Sequence, residues 1–109
     1  FTDNGGGFGT DNNYTNNQNT TETFCSSIAG DCISFAFTLP FTTEATNDVL
    51  YINNGPTTGY SLVGAYSGGT SPGTITSNPL GCFTFRFFSN GAIVNTGWLA
   101  NISCVTGCE

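Results

Sequence analysis

Two carboxylates and one amide are the side chains of this sequence with the most suggestive chemistry. Glu44 and Asp48 lie four residues apart across a short turn at 45–47, beside an expected strand. Asn90 follows another expected strand in a Ser-Asn-Gly turn, which would bring an amide oxygen to the same place. Such oxygens are ligands of Ca²⁺, which accepts them at loose geometry. Together these residues predict a weak calcium site, suited to extracellular calcium of millimolar order.

The same carboxylates leave two other interpretations open. One is a hydrolytic pair of the glycosidase kind, which needs a cleft and aromatic sugar platforms that the sequence does not mark. The other is that Glu44 and Asp48 are ordinary turn residues. The sequence has no His and no Lys, so the usual groups for general-base and Schiff-base chemistry are missing. We therefore predict that the protein is not an enzyme.

The charge of the chain restricts its partners. Charged residues make up 7% of its 109 residues, and the formal net charge is −6 with Arg86 as the only cation. Such a chain has nothing with which to neutralise nucleic-acid phosphates or anionic lipid headgroups. No apolar run approaches the ~20 residues that a membrane span needs. We expect no nucleic-acid partner and no membrane span.

Five cysteines in so short a chain predict disulfides, and therefore an extracellular location. Their spacing does not suit a thiolate zinc site. Cys82 and Cys104 would close a short loop, with a stabilisation of about 3 kcal/mol in the loop-entropy model. Cys25 and Cys32 flank a hairpin-like turn, which favours a local bridge. Cys108 is left over and is expected to pair with another chain or domain, although the pairing of Cys25, Cys32 and Cys108 stays open.

Glycosylation sequons and the start of the chain bear on how the protein is processed. Asn13, Asn19 and Asn101 begin N-glycosylation sequons, whose use depends on a host that glycosylates. The chain begins at Phe1 rather than Met and shows no signal-like segment, so we expect a processed or excised piece.

Short alternating runs between turn signals predict the elements that position these residues. Strands are expected at 20–25, 32–39, 48–53, 60–66, 82–88 and 98–104. No window shows helical spacing, so the pattern predicts an all-β sandwich in a single domain at 1–109. Its Gly/Asn-rich segment 1–19 is expected to pack on or next to the sandwich. Arg86 interrupts an aggregation-prone aromatic run on the outer face, and the alternative role is an arginine that grips a ligand.

Three segments taken together resemble the CUB domain family. They are TEATNDVLYINNG at 43–55, CFTFRFFSNG at 82–91 and GWLANISC at 97–104. The resemblance covers roughly residues 1–104 and is closest to bacterial CUB-like repeats of secreted surface proteins. It implies a jelly-roll β-sandwich of two antiparallel sheets, with Glu44 and Asp48 as calcium ligands.

The sequence departs from the family's pattern at the presumed ligand-binding end. Asn47 replaces a frequent Tyr, Asn90 replaces a frequent Asp, and Asn53-Asn54 replace a Tyr-Asp pair. Each change removes a charge or an aromatic ring from the presumed site.

The resemblance and the composition lead to one functional prediction and one alternative. The prediction is a non-catalytic extracellular module for adhesion or recognition, assisted by calcium, whose partner is a protein or glycan at the cell surface. The alternative is a structural subunit or repeat unit of an extracellular filament or tandem surface array. In that case Cys108 would bridge to a neighbouring copy through a heterologous contact, which need not close.

Overall fold

The protein is a two-sheet β structure. The computed structural model describes residues 1, 17–28, 30–91 and 97–106, without the side chains of 39 and 40. Its strands are β1 (Asn19–Cys25), β2 (Cys32–Thr42), β3 (Val49–Asn53), β4 (Leu62–Tyr66), β5 (Thr74–Thr76), β6 (Cys82–Phe88) and β7 (Gly97–Val105). The predicted all-β class is confirmed, and each of the six predicted strands is present to within a few residues.

The strands form two antiparallel sheets. One has the order β1-β6-β3-β4 and the other has the order β5-β2-β7. Strands that are distant in sequence are neighbours in both sheets, because β1 pairs with β6 and β2 pairs with β7. The predicted sandwich of two antiparallel sheets is therefore confirmed.

Aromatic side chains from both sheets fill the space between them. The alternating positions Phe83, Phe85 and Phe87 of β6 are buried, as the period-two pattern predicts. Phe85 packs against Phe35 of β2 with ring centroids 4.7 Å apart. Trp98 of β7 packs against Phe87 at 4.8 Å. This aromatic packing fixes which face of β2, β6 and β7 is left for the surface.

Strand β5 was not predicted. It is three residues long and pairs with Ser34–Ala36 of β2. Thr74 and Thr76 are exposed and only Ile75 is partly buried. So short a strand offers no alternation long enough to recognise in a sequence.

Phe1 is joined to the sandwich. Its amino group donates to the carbonyl of Ala100 at 2.9 Å, and the Ala100 N–H donates to the carbonyl of Phe1 at 2.8 Å. Its ring lies 4.5 Å from that of Phe85. Burial lowers the pKa of this amino group, and the nearby charge of Glu22 partly opposes that shift. Most of the predicted 1–19 segment lies outside the described residues.

The disulfide pairing differs from the prediction. Cys25 and Cys82 are joined across β1 and β6, with their Cα atoms 4.1 Å apart. The predicted Cys82–Cys104 bridge is therefore wrong, and so is the local Cys25–Cys32 bridge. Cys104 is an exposed free thiol in β7, which belongs to the other sheet, and Cys32 is disulfide-bonded. Cys108 lies outside the described residues.

A candidate calcium site at one end of the sandwich

The connection between β2 and β3 is a tightly hydrogen-bonded turn that carries both predicted carboxylates. The N–H of Asp48 donates to the carbonyl of Glu44 at 3.0 Å, which closes the turn. The Thr43 hydroxyl donates to the carbonyl of Asp48 at 2.8 Å and accepts the N–H of Gly68 at 2.9 Å. Thr43 thus ties the turn to the loop after β4. We did not predict this role, because a lone Thr before a turn gives no signal in the sequence.

The loop after β6 reaches the same place. The N–H of Asn90 donates to Oδ1 of Asp48 at 2.9 Å. The structure therefore brings the Asn90 loop to Asp48, through a backbone N–H where the sequence suggested the amide oxygen. The approach follows from topology, since β3 starts just after Asp48 and its partner β6 ends just before Ser89.

A third segment supports this loop from the other side. The N–H of Gln18 donates to the Ser89 hydroxyl at 2.8 Å, and the N–H of Ser89 donates to the Gln18 carbonyl at 3.0 Å. The N–H of Asn17 donates to the carbonyl of Asn90 at 2.8 Å. Hydrogen bonds on several sides thus hold Asn90 next to Asp48.

Burial and charge distinguish the two acids. Asp48 has an exposed fraction of 0%, whereas Glu44 is partly buried with its Oε1 atom fully buried. Within the described ranges, no group of three His, Cys, Asp or Glu side chains could hold a metal. A cation here would therefore take amide or backbone oxygens besides the two carboxylates. An all-oxygen set of this kind fits Ca²⁺, which binds six to eight oxygen ligands.

The hydrolytic interpretation fits this geometry poorly. A general acid or nucleophile must reach the bond that is cleaved. The Asp48 carboxylate is buried and accepts a hydrogen bond from the Asn90 backbone. It is placed to connect two loops and not to contact a substrate.

The predicted glycosylation sites lie on different parts of the molecule. Asn19 begins β1 and Asn101 lies in β7, and both residues are exposed. Asn13 lies outside the described residues. The part of the chain that the structure describes contains no helix that is long and apolar enough to span a membrane.

Comparison with known proteins gives a match at the level of structure. No protein-family model matches the sequence, and no curated protein matches it. The CUB2 domain of MASP-1, whose crystal structure contains bound Ca²⁺, is similar with a TM-score of 0.67 and 21% sequence identity. The match covers 83% of this chain and 81% of that chain. The specific likeness to bacterial CUB-like repeats stays a prediction. The chain has the fold of a CUB domain, as its sequence resemblance predicted.

Proposed function

We propose that this chain is a non-catalytic extracellular recognition module that binds Ca²⁺ through Glu44, Asp48 and Asn90. The observation that carries the proposal is the buried Asp48 carboxylate, held against the Asn90 loop by a 2.9 Å hydrogen bond. The similar MASP-1 domain, crystallised with Ca²⁺, supports it at the level of the fold. The Cys25–Cys82 disulfide supports the extracellular location.

Calcium would supply positive charge at an end of the sandwich where the described chain offers none. Arg86, the only Lys or Arg of the sequence, stacks on Tyr51 at the outer face. A cation shared by the 43–48 turn and the Asn90 loop would lower the repulsion between Glu44 and Asp48 and hold both loops in one arrangement. A fixed arrangement of loops costs less entropy when a protein or glycan partner binds.

A calcium titration of thermal stability tests the proposal. For a site with a Kd of about 1 mM, 10 mM Ca²⁺ stabilises the folded state by about 1.4 kcal/mol. For a chain of this size that corresponds to a rise in Tm of roughly 6–11 °C. Equal melting curves in calcium and in chelator would exclude the ion from the function.

Substitutions then locate the site. Glu44→Gln keeps the size of the side chain and removes its charge, so the calcium-dependent rise in Tm should shrink to near zero. Asp48→Asn should have the same effect, together with a lower Tm in chelator because it weakens the bond from Asn90. Glu22→Gln is the matched control, since Glu22 is an exposed acid in β1. A calcium response that is equal in all these variants would place the ion elsewhere.

The second candidate function is assembly with further copies of the chain. Strand β4 is an edge of its sheet, and its residues Leu62 and Val63 have exposed fractions of 57% and 38%. Exposed edge strands of this kind can pair with another chain. The exposed thiol of Cys104 lies on β7, an edge of the other sheet, and could fix such a contact covalently.

Native mass measurements and non-reducing gels test assembly. We expect a mass that rises with concentration, and a dimer band that disappears on reduction and in Cys104→Ser. A monomer at every concentration, with a single band on the non-reducing gel, would contradict it.

A further inference from the structure

A groove on the outer face of the four-stranded sheet contains the only basic side chain of the protein. Its volume is about 450 Å³, and it is lined by Tyr51, Asn53, Thr58, Tyr60, Leu62 and Arg86. Sites for small molecules usually measure about 300–1,000 Å³. The groove lies at the end of β3 that begins the 54–61 loop, whereas Asp48 precedes the other end of β3. It is therefore a different surface from the candidate calcium site.

The wall of the groove is a loop that hydrogen bonds and packing hold in place. Nδ2 of Asn53 donates to the carbonyl of Tyr60 at 2.9 Å. The hydroxyl of Thr84, buried beneath the loop, donates to the carbonyl of Gly55 at 2.9 Å. A Cβ atom at Gly55 would overlap the Tyr60 ring, so glycine is needed for this close packing. The groove is thus built before any ligand arrives.

An aromatic ring orients Arg86 in the groove. Its guanidinium lies 4.9 Å from the centroid of the Tyr51 ring, which is a cation–π contact. Tyr51 and Arg86 are also directly opposite each other in the β3–β6 register. Among the described residues, no Asp or Glu forms an ion pair with this guanidinium. Its planar set of N–H donors is suited to a carboxylate, which it can bind with two parallel hydrogen bonds.

We propose that this groove binds a saccharide that carries a single carboxylate, such as a uronic or sialic acid residue. One cation can neutralise one carboxylate, and the net charge of −6 would repel a polyanion such as nucleic acid or a heavily sulfated glycan. The inference deepens the proposed recognition role by naming a ligand class, and it rests on that role.

The rest of the lining favours a sugar over an acidic peptide. Extended peptides gain affinity by adding main-chain hydrogen bonds to a sheet edge. Here the floor is β3 and β6, inner strands whose backbone groups are already paired, and Leu62 is the one lining residue from the edge strand β4. The amide nitrogen of Asn53 is already hydrogen-bonded to Tyr60, so what remains is the hydroxyl of Thr58, the partly exposed ring of Tyr60 and the exposed side chain of Leu62. These groups suit the hydroxyls and apolar ring face of a sugar.

The test is an NMR titration of the ¹⁵N-labelled chain in the presence of a calcium chelator. The ligands are an oligosaccharide with one terminal glucuronate, the same oligosaccharide with terminal glucose, and a capped peptide with one Glu. With the glucuronate ligand we expect changes in the amide chemical shifts of Tyr51, Tyr60 and Arg86. The glucose-ended oligosaccharide and the Glu peptide should bind at least tenfold more weakly. Added salt should weaken the glucuronate complex, because it screens the attraction between the carboxylate and Arg86.

Variants decide whether Arg86 makes the contact. Arg86→Gln should weaken glucuronate binding by about tenfold or more, because it removes a charge-assisted pair of hydrogen bonds. If Arg86→Gln aggregates, Tyr60→Ala is used instead. It removes the partly exposed ring from the wall of the groove and should also weaken glucuronate binding. Tyr66→Phe is the control, since Tyr66 does not line the groove.

Three results would overturn the inference. The first is that the glucose-ended oligosaccharide binds as tightly as the glucuronate ligand, and the second is that the Glu peptide does. The third is that Arg86→Gln and Tyr60→Ala bind the glucuronate ligand as tightly as the unchanged chain. Binding that appears only with calcium and persists in Arg86→Gln would move the ligand to the Asp48 end. That outcome would reject the groove and leave the proposed calcium-dependent function intact.

Discussion

Removal of the Cys25–Cys82 disulfide is the perturbation whose size follows most directly from the structure. The bridge spans a sequence separation of 57 residues, so the loop-entropy model gives a stabilisation of about 4 kcal/mol. It also fixes β1 at the edge of its sheet, where β6 is the strand that pairs with it. A small domain has a total stability of about 5–15 kcal/mol. The double variant Cys25→Ala/Cys82→Ala should therefore keep about 1–11 kcal/mol of stability, with a Tm lower by roughly 16–32 °C.

Urea unfolding followed by the fluorescence of Trp98, the only tryptophan, measures this loss. Cys104→Ala is the matched control, because it removes an exposed free thiol and should change the free energy of unfolding by less than about 0.5 kcal/mol. Alkylation before reduction should modify Cys104 and spare Cys25 and Cys82. A double variant whose free energy of unfolding falls by less than about 1 kcal/mol would refute the Cys25–Cys82 pairing and the reasoning from it. So would a Cys104→Ala variant that is destabilised as much as the double variant.

Three further predictions concern the core, the 43–48 turn and pH. Phe35→Ala should lower the free energy of unfolding by about 3–5 kcal/mol, because Phe35 is fully buried; Phe88→Ala, at a ring that is 43% exposed, should lower it far less in the same urea titration. Thr46→Asn should raise Tm slightly, because Thr46 has a φ of 66° that Asn adopts at lower cost than a β-branched residue, and an unchanged or lower Tm would show that the turn is not strained. Burial lowers the pKa of the free amine of Phe1 below its usual 8.0, so between the folded-state pKa and pH 8.0 the unfolded state binds more protons than the folded state. The free energy of unfolding should therefore rise with pH across that window. The N-acetylated chain should lack this rise.

Local pattern was sufficient to predict six of the seven strands in the described part of the chain, all but the three-residue β5. Phe83, Phe85 and Phe87 alternate with Thr84 and Arg86, and the three Phe rings are buried in the core as that alternation predicts. Thr84 is buried as well, on the other face, beneath the 54–61 loop. The approach of the Asn90 loop to Asp48 was also predictable, because each borders the end of an expected strand. Chain order does not tell which sheet a strand joins, however. The Cys82–Cys104 prediction failed for that reason, since the two residues lie in different sheets.

Contacts that depend on loop conformation could not be predicted. The groove requires the 54–61 loop to fold back so that Tyr60 covers Gly55. A glycine and a tyrosine five residues apart do not indicate in a sequence that the two will pack together. The contact from Asn90 to Asp48 is made by a backbone N–H, so no side-chain pattern could have marked it. Sequence reasoning therefore predicted the turn that carries Glu44 and Asp48 before β3 and missed the groove that contains Arg86.

The order of strands in the sheets has a consequence for biosynthesis. Strand β1 must wait for β6, and β2 must wait for β7 to complete its sheet, so the first third of the chain emerges long before its partners exist. Cys25 is then near Cys32 and far from Cys82, which favours an early, non-native bridge between neighbours. Thiolate attack has to exchange that bridge before β1 can dock. Maturation of this chain should accordingly be slow and should be accelerated by a disulfide isomerase.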